Sequence, residues 1–295
     1  MADTTTETTA IEAPDLPAKK SRFHAVFSKD RKAQFGILVL TLFTLGAFLA
    51  PFIAPYDPNA MTLNMMSNPS ADHFLGTDDL GRDLFSRILY GTQISLFVGI
   101  STVAISLFFG VLLGVLAGYY GGWIDAIIMR YIDLQWAFPN FIIAVYLVAV
   151  FGTGLLNVIV AISLAFLDDF ARIARSMVLT LKEEQFIDAA RVQGFSDFRI
   201  MIKHILPNAM APIIVQATVS VSYAILGEAS LSFLGLGVRA DTPTWGLILA
   251  DGRSFISSAW WLGLYPGLAI MLVVLSINFI GDALRDALDV RESDI

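Results

Sequence analysis

From Ile88 to Trp123 the chain carries no Asp, Glu, Lys or Arg across 36 consecutive residues. A helix needs only about 20 apolar residues to cross the hydrocarbon core of a bilayer, so this run is long enough to span with turns to spare. A second run, Phe35 to Ala54, is free of charge for twenty residues. Composition generalises the point: 56% of the 295 residues are hydrophobic and 15% charged, against about 25% charged in an ordinary soluble protein. Such a chain cannot hide its apolar surface in a soluble core and reads as an all-α integral membrane protein.

Taken in order, the sequence predicts a cytoplasmic tail over 1–34, Thr/Glu/Pro-rich and then basic, largely disordered, with a short interfacial helix near Phe23 to Phe27. A transmembrane body over 35–281 follows, with six spans at about 35–54, 92–118, 131–151, 155–174, 210–233 and 262–280, and a second cytoplasmic tail over 282–295. The first span reads as retained, because the apolar part of a cleavable signal is only about 7 to 15 residues long. Pro139 is expected to kink the third span, and Trp260 and Trp261 suit a membrane interface. If the amino terminus is cytoplasmic, inside segments hold fifteen Lys and Arg and outside segments only Arg82, Arg87, Arg239 and Arg253. That asymmetry satisfies the positive-inside rule with both termini in the cytosol.

Several function classes are excluded. A net charge of -7 and the lack of a basic, aromatic-interleaved surface argue against nucleic acid. No cysteine is present, and His24, His73 and His204 are scattered outside the spans, so neither a metal site nor a positioned catalytic base for an intramembrane hydrolase is visible. No G-x-x-x-x-G-K-[ST] loop occurs, so nucleotide must be handled by another subunit. Gly110, Gly114 and Gly118 line one helix face with bare backbone for close helix packing. Asp168, Asp169 and Glu228 lie within predicted spans and are candidates for the pathway or its gating. The alternative is structural: Arg172 and Arg175 lie within helical reach of the two aspartates, and Ser230 and Ser232 within reach of Glu228. Paired carboxylates of this kind also leave room for an ion-coupled secondary transporter.

The charged island Lys182 to Asn208 separates two apolar runs. Glu183 to Gln193 has helix-forming composition, Gly194 is placed to stop the helix, and Ser196 is placed to cap a second one ending near Lys203 and His204. Phe198, Met201, Ile202, Ile205 and Leu206 follow helical spacing and predict one apolar stripe. Two short helices bent at a glycine, with Ala189 and Ala190 allowing close approach, make a knob suited to a groove on another protein.

The order Asp188, Ala189, Ala190, then Gly194, then Ile205, Leu206 and Pro207 resembles the E-A-A loop of ABC-importer permeases, with Asp188 where that family usually has Glu. Gly76 to Asp83 (GTDDLGRD), Leu226 to Gly237 (LGEASLSFLGLG) and Gly281 to Arg291 resemble further blocks of the dipeptide/oligopeptide permeases, C-type subunit, over about Gly36 to Arg291. The acidic pair at 168 and 169, and Val290 where proline is common, depart from that pattern. The resemblance implies the type I ABC-importer fold, with 176–208 as the cytoplasmic coupling loop and Asp188, Ala189, Ala190, Gly194, Phe195, Ile205, Leu206 and Pro207 contacting an ATPase. It further implies a distinct second permease chain, two ATP-binding subunits that hold ATP and magnesium, an extracytoplasmic substrate-binding protein and a bacterial inner-membrane location. Importers of nickel complexes, glutathione and oligosaccharides have similar permeases and remain alternatives to peptide.

Overall fold

The structure, a computed structural model, describes residues 26–288; the expected tails at 1–25 and 289–295 lie outside the described residues. Within it the chain is helical, and the one β-type pairing among the described residues is an isolated bridge between Thr77 and Asp83.

Helix α1, Arg31–Phe48, starts at Asp30, whose carboxylate accepts from the Lys32 amide at 2.8 Å. A short turn, Ala50–Ile53, follows the break at Leu49. Proline at position 51 explains the break, since its ring clashes with the preceding turn and it donates no amide hydrogen. Helix α2, Leu84–Tyr120, is capped by the Asp83 carboxylate on the Ser86 amide at 2.8 Å and closed by Gly121 at φ +64°. Its 37 residues make a rod of about 55 Å at 1.5 Å per residue, longer than the bilayer core of about 30 Å. One end therefore stands clear of the hydrocarbon.

Two further predicted spans are broken. The third is a pair of helices, α3 (Gly122–Trp136) and α4 (Asn140–Phe151), bent by 90° around Pro139. Residues before proline are driven out of the helical region, and here the change of direction is complete where the sequence predicts a kink. The fourth is split at Phe166 into α5, Leu155–Ala165, and α6, Leu167–Leu181, which continues seven residues past the predicted end at 174. Among the described residues four helices are each long and apolar enough to cross a membrane, giving up to five spans if the bent pair α3 and α4 counts as one.

After the short α7, Gln185–Val192, a continuous helix α8 runs from Asp197 to Phe233. The second helix of the charged island therefore does not end near Lys203 and His204 but is the foot of the fifth span. Its course is widened into a π segment at Met201–Ile205, where the Leu206 amide reaches back to the Met201 carbonyl. Pro207 lacks the donor that would satisfy Lys203, and the wider turn accommodates its ring. The extra residue rotates the apolar stripe: Met201 and Ile205 are buried, as is Ile200, while Phe198 and Ile202 are exposed.

The outer loop 238–259 contains helix α9, Trp245–Gly252, capped by Thr244 on the Leu247 amide at 3.1 Å. It packs between α8 and the last helix, α10, Trp261–Leu288. Trp261 is buried, donating to the Thr77 carbonyl at 3.1 Å, so of the two tryptophans expected at an interface only Trp260 is exposed. Indole needs a partner for its N–H when buried, and the folded segment before α2 supplies it.

The glycine stripe of α2 meets α6 of the same chain. A Cβ at Gly110 would lie 2.6 Å from the Phe170 Cβ, one at Gly118 2.8 Å from the Val178 Cβ, and one at Gly114 would overlap the Ala171 carbonyl. Backbone thus lies on backbone along this seam, which aligns α6 with the scaffold and sets where the cytoplasmic loop leaves the membrane.

Candidate coupling site and buried carboxylates

Helix α7 is fixed at one side and free on the other. Ile187 and Ala190 are buried, whereas Phe186, Asp188, Ala189, Arg191 and Val192 are exposed. Gly194 at φ +77° lets the chain reverse: its amide donates to Arg191 O at 2.9 Å and the Phe195 amide to Ala190 O at 3.2 Å. These are the two bonds of a Schellman ending, which requires a left-handed residue at this position. Ser196 occupies the cap position of α8 with extended backbone, but its side chain makes no capping bond.

Phe195 then ties α7 to the foot of α8. Its ring stacks on His204 with centroids 5.5 Å apart and 16° between planes, and the Arg199 guanidinium lies 4.1 Å above it. Asp197 accepts from the Tyr119 hydroxyl at 2.7 Å, and Lys182 Nζ donates to Gly118 O at 3.2 Å, joining the loop to the end of α2. Asp188 pairs with Arg191 at 3.0 Å on the exposed face. Of the sequence-predicted set, Asp188, Ala189, Ala190, Gly194 and Phe195 form this one knob. Ile205, Leu206 and Pro207 sit in α8 behind it, Ile205 as buried packing and Pro207 at the end of the π segment.

The arginines expected near Asp168 and Asp169 turn elsewhere. Arg172 pairs with Asp133 at 2.9 Å and lies 4.2 Å over the Trp136 ring, and Arg175 makes two bonds of 2.6 Å to Asp125. Both partners lie on α3, which packs against α6. Asp168 is instead fully buried, with Gln135 Nε2 3.3 Å from Oδ1. The same amide donates to Leu164 O at 2.6 Å, beside the break at Phe166. Gln135 thus braces the interrupted fourth span against α3, a residue the sequence gave no reason to single out. Asp169 is half-buried. Glu228 is also fully buried and accepts from Ser232 at 2.7 Å and Thr244 at 2.8 Å, while Ser230 bonds back to Leu226 O. Through Oε1 it joins the end of α8 to the cap of α9, while Oε2 is buried with no hydrogen-bond partner among the described residues.

The outer face holds a cluster that local sequence reading divides in two. Arg82 Nε reaches Asp78 at 2.6 Å, and Asp251 of α9 lies 3.2 Å from Arg82 and 3.4 Å from Arg87. Asp83 adds His73 at 2.9 Å. Burial pushes the Asp251 carboxyl up from its ordinary value, opposed by the two guanidinium groups. Among the described residues no group of three or more His, Cys, Asp or Glu is placed to hold a metal ion.

Apolar helices long enough to cross a membrane, with an exposed knob at one end of α2 and a folded cap at the other, define a membrane-embedded protein with a face open at each end. Residues 110–294 match the family described as binding-protein-dependent transport system inner membrane component, and residues 21–73 match the N-terminal TM domain of oligopeptide transport permease C. Relatives include the dipeptide transport system permease protein DppC of Alkalihalophilus pseudofirmus, 46% identical over 94% of each chain. The di/tripeptide permease DppC of Pseudomonas aeruginosa is 44% identical over 92% of each. The glutathione permease GsiD of Escherichia coli is 44% identical over 89% of this chain and 88% of its own. The fold is similar to that of an inward-facing MetNI methionine ABC transporter structure, with TM-score 0.56 and 21% identity, over 68% of this chain and 95% of that one. The chain therefore belongs to the binding-protein-dependent inner-membrane permease family of ABC importers and has the type I permease fold.

Proposed function

We propose that this chain forms half of the transmembrane pathway of an importer for dipeptides and short oligopeptides. The carrying observation is α7, a helix anchored by Ile187 and Ala190 and closed at Gly194, with its other face open. In this reading α7 seats in a groove on a cytosolic ATPase subunit that holds ATP and magnesium. A distinct second permease supplies the other half of the pathway, and a second ATPase seats on it. An extracytoplasmic binding protein delivers substrate, and both termini of this chain are cytosolic.

The contacts around α7 describe how force passes inward. Closure of the ATPases displaces α7, the Phe195–His204 stack moves the foot of α8, and Lys182 carries the same displacement to the end of α2. Because α2 and α6 interlock along the glycine seam, those helices move together and alter access to the shared cavity. The peptide assignment rests on the relatives named for dipeptides at 44–46% identity. Glutathione is a second reading, favoured by the GsiD relatives at 44%.

The test is transport by the assembled complex in proteoliposomes, with a labelled dipeptide competed by unlabelled tripeptide or glutathione. ATP-dependent uptake of dipeptide resisted only by other peptides supports the proposal. Uptake confined to glutathione selects the second reading, and uptake without ATP defeats both.

A further inference from the structure

Two cavities meet along the seam between α1 and α2, and they differ in chemistry. The upper one, about 600 Å³, lies at the outer ends of the helices and is bordered by Tyr56, Asp57, Asn59, Tyr90, Asp241 and Thr242. The lower one, about 680 Å³, runs between α1, α2, α8 and α10 and is lined almost wholly by apolar side chains, among them Leu40, Phe48, Leu96, Ile100, Val221 and Ile277. Gln93 borders both. Its Nε2 donates to Ala47 O at 2.6 Å, which fixes the junction at the level where the charge-free part of α2 begins its passage.

The charges of the outer face sort in a way that defines the upper cavity. Among the described residues its ion pairs take Asp78, Asp79, Asp83 and Asp251 and leave Asp57, Asp72 and Asp241 without a cation, and of these three Asp57 and Asp241 border the upper cavity. Asp57 accepts the Asn59 amide at 2.8 Å, Asp241 the Thr242 hydroxyl at 3.2 Å, and Asn59 Nδ2 bonds to Asp241 O at 2.9 Å. The two carboxylates are thereby held on one cleft beside two tyrosine rings, although they come from different outer loops. Carboxylates and tyrosine faces together favour an organic ammonium group. Directly below, at hydrocarbon depth, the groove has no polar chemistry to offer anything but an alkyl chain, and Ile100 lies about 15 Å below Tyr90 at 1.5 Å per residue.

We propose that this composite site binds a phospholipid of the outer leaflet with an ammonium headgroup, of the phosphatidylethanolamine kind. The ammonium sits between Asp57 and Asp241, the phosphodiester lies level with the Tyr90 hydroxyl and Gln93, and one acyl chain fills the groove. The lipid wedges α1 against α2, α8 and α10. It thereby fills a surface that α1 alone covers incompletely.

The test uses the assembled importer in nanodiscs made of either phosphatidylethanolamine or phosphatidylglycerol, with bound lipid measured by native mass spectrometry after detergent extraction. Retention of phosphatidylethanolamine over phosphatidylglycerol by about tenfold is expected, the size of two modest ion pairs. The double substitution Asp57→Asn with Asp241→Asn should abolish that preference while leaving total lipid retention, which comes from the groove. Thr44→Phe, which puts a ring into the groove from α1, should reduce retention of both lipids alike. Equal retention of the two lipids by the unsubstituted protein overturns the proposal, as does a preference unchanged by the double substitution. A Thr44→Cys variant that cross-links in high yield to the second permease, showing protein in the groove, also overturns it.

Discussion

The cap and the knob are both charged and lie at opposite ends of α2, yet they use charge in opposite ways. In the cap, Asp78, Arg82 and Arg87 are at most 5% exposed and answer one another together with Asp251. In the knob, Asp188 and Arg191 are open to solvent, and apolar Phe186 and Val192 are exposed beside them. A buried ion cluster confers little net affinity but is costly to break, whereas an open mixed face stabilises nothing within its own chain. The cap therefore holds two loops together, whereas the knob keeps an open face, the one that the proposed function assigns to an ATPase subunit.

The sharpest break of that contrast is Asp78→Ala. It leaves two buried guanidinium groups sharing Asp251 and is expected to destabilise by about 3 kcal/mol, the low end of the usual cost of removing one partner of a buried pair, because a second carboxylate remains. Thermal unfolding of the purified subunit checks it. Next comes Gly114→Leu, whose side chain must displace the Ala171 backbone in the α2–α6 seam. Overpacking of this kind costs about 1–3 kcal/mol, seen as lost monodisperse protein on size-exclusion chromatography.

Gly194→Val sharpens the comparison from the knob. A β-branched residue at φ +77° carries about 1–3 kcal/mol of backbone strain, paid locally at the end of α7. Expected are near-normal yield, ATPase activity no longer stimulated by substrate, and lost uptake. Phe186→Ser is expected to change stability by less than about 0.5 kcal/mol, as for an exposed site, while lowering co-purification of the ATPase subunit. The smallest effect is on pH. Because folding raises the Asp251 carboxyl above its unfolded value, the folded state holds the proton more tightly. Its contribution is thus present below the unfolded value and declines as pH rises through the folded one. Asp251→Asn should flatten that slope in melts taken across the acidic range.

What the sequence makes legible follows from what is local. Charge-free runs locate the spans because desolvation is decided residue by residue, and Gly194 announces the helix end because the left-handed conformation belongs to a single residue. Proline 207 was equally visible, but its consequence, a π segment inside a continuous helix, depends on α8 being held straight by packing. The 90° turn at Pro139 depends likewise on α4 folding back against α5. The Arg87–Asp251 contact joins residues 164 positions apart, and no local pattern marks it. Helix α9 did leave a signal, since Thr244 before Trp245-Gly246-Leu247-Ile248 is a cap followed by an apolar turn. It was obscured by lying in a segment bounded by charge. Gln135 left none, because an amide shows its importance only through the buried carboxylate and carbonyl it meets.

The central claim is that α7 is where the ATPase is engaged, and the absence of cysteine from the sequence allows a direct measurement. Single cysteines are introduced by Ala189→Cys and Val192→Cys on the open face of α7, and by Ile256→Cys on the outer loop, into the assembled importer with matching cysteines on the ATPase groove. The account predicts disulfide cross-links to the ATPase from 189 and 192, changed in yield by ATP, and none from 256. Absence of cross-links from both α7 positions in a complex that still transports would contradict it.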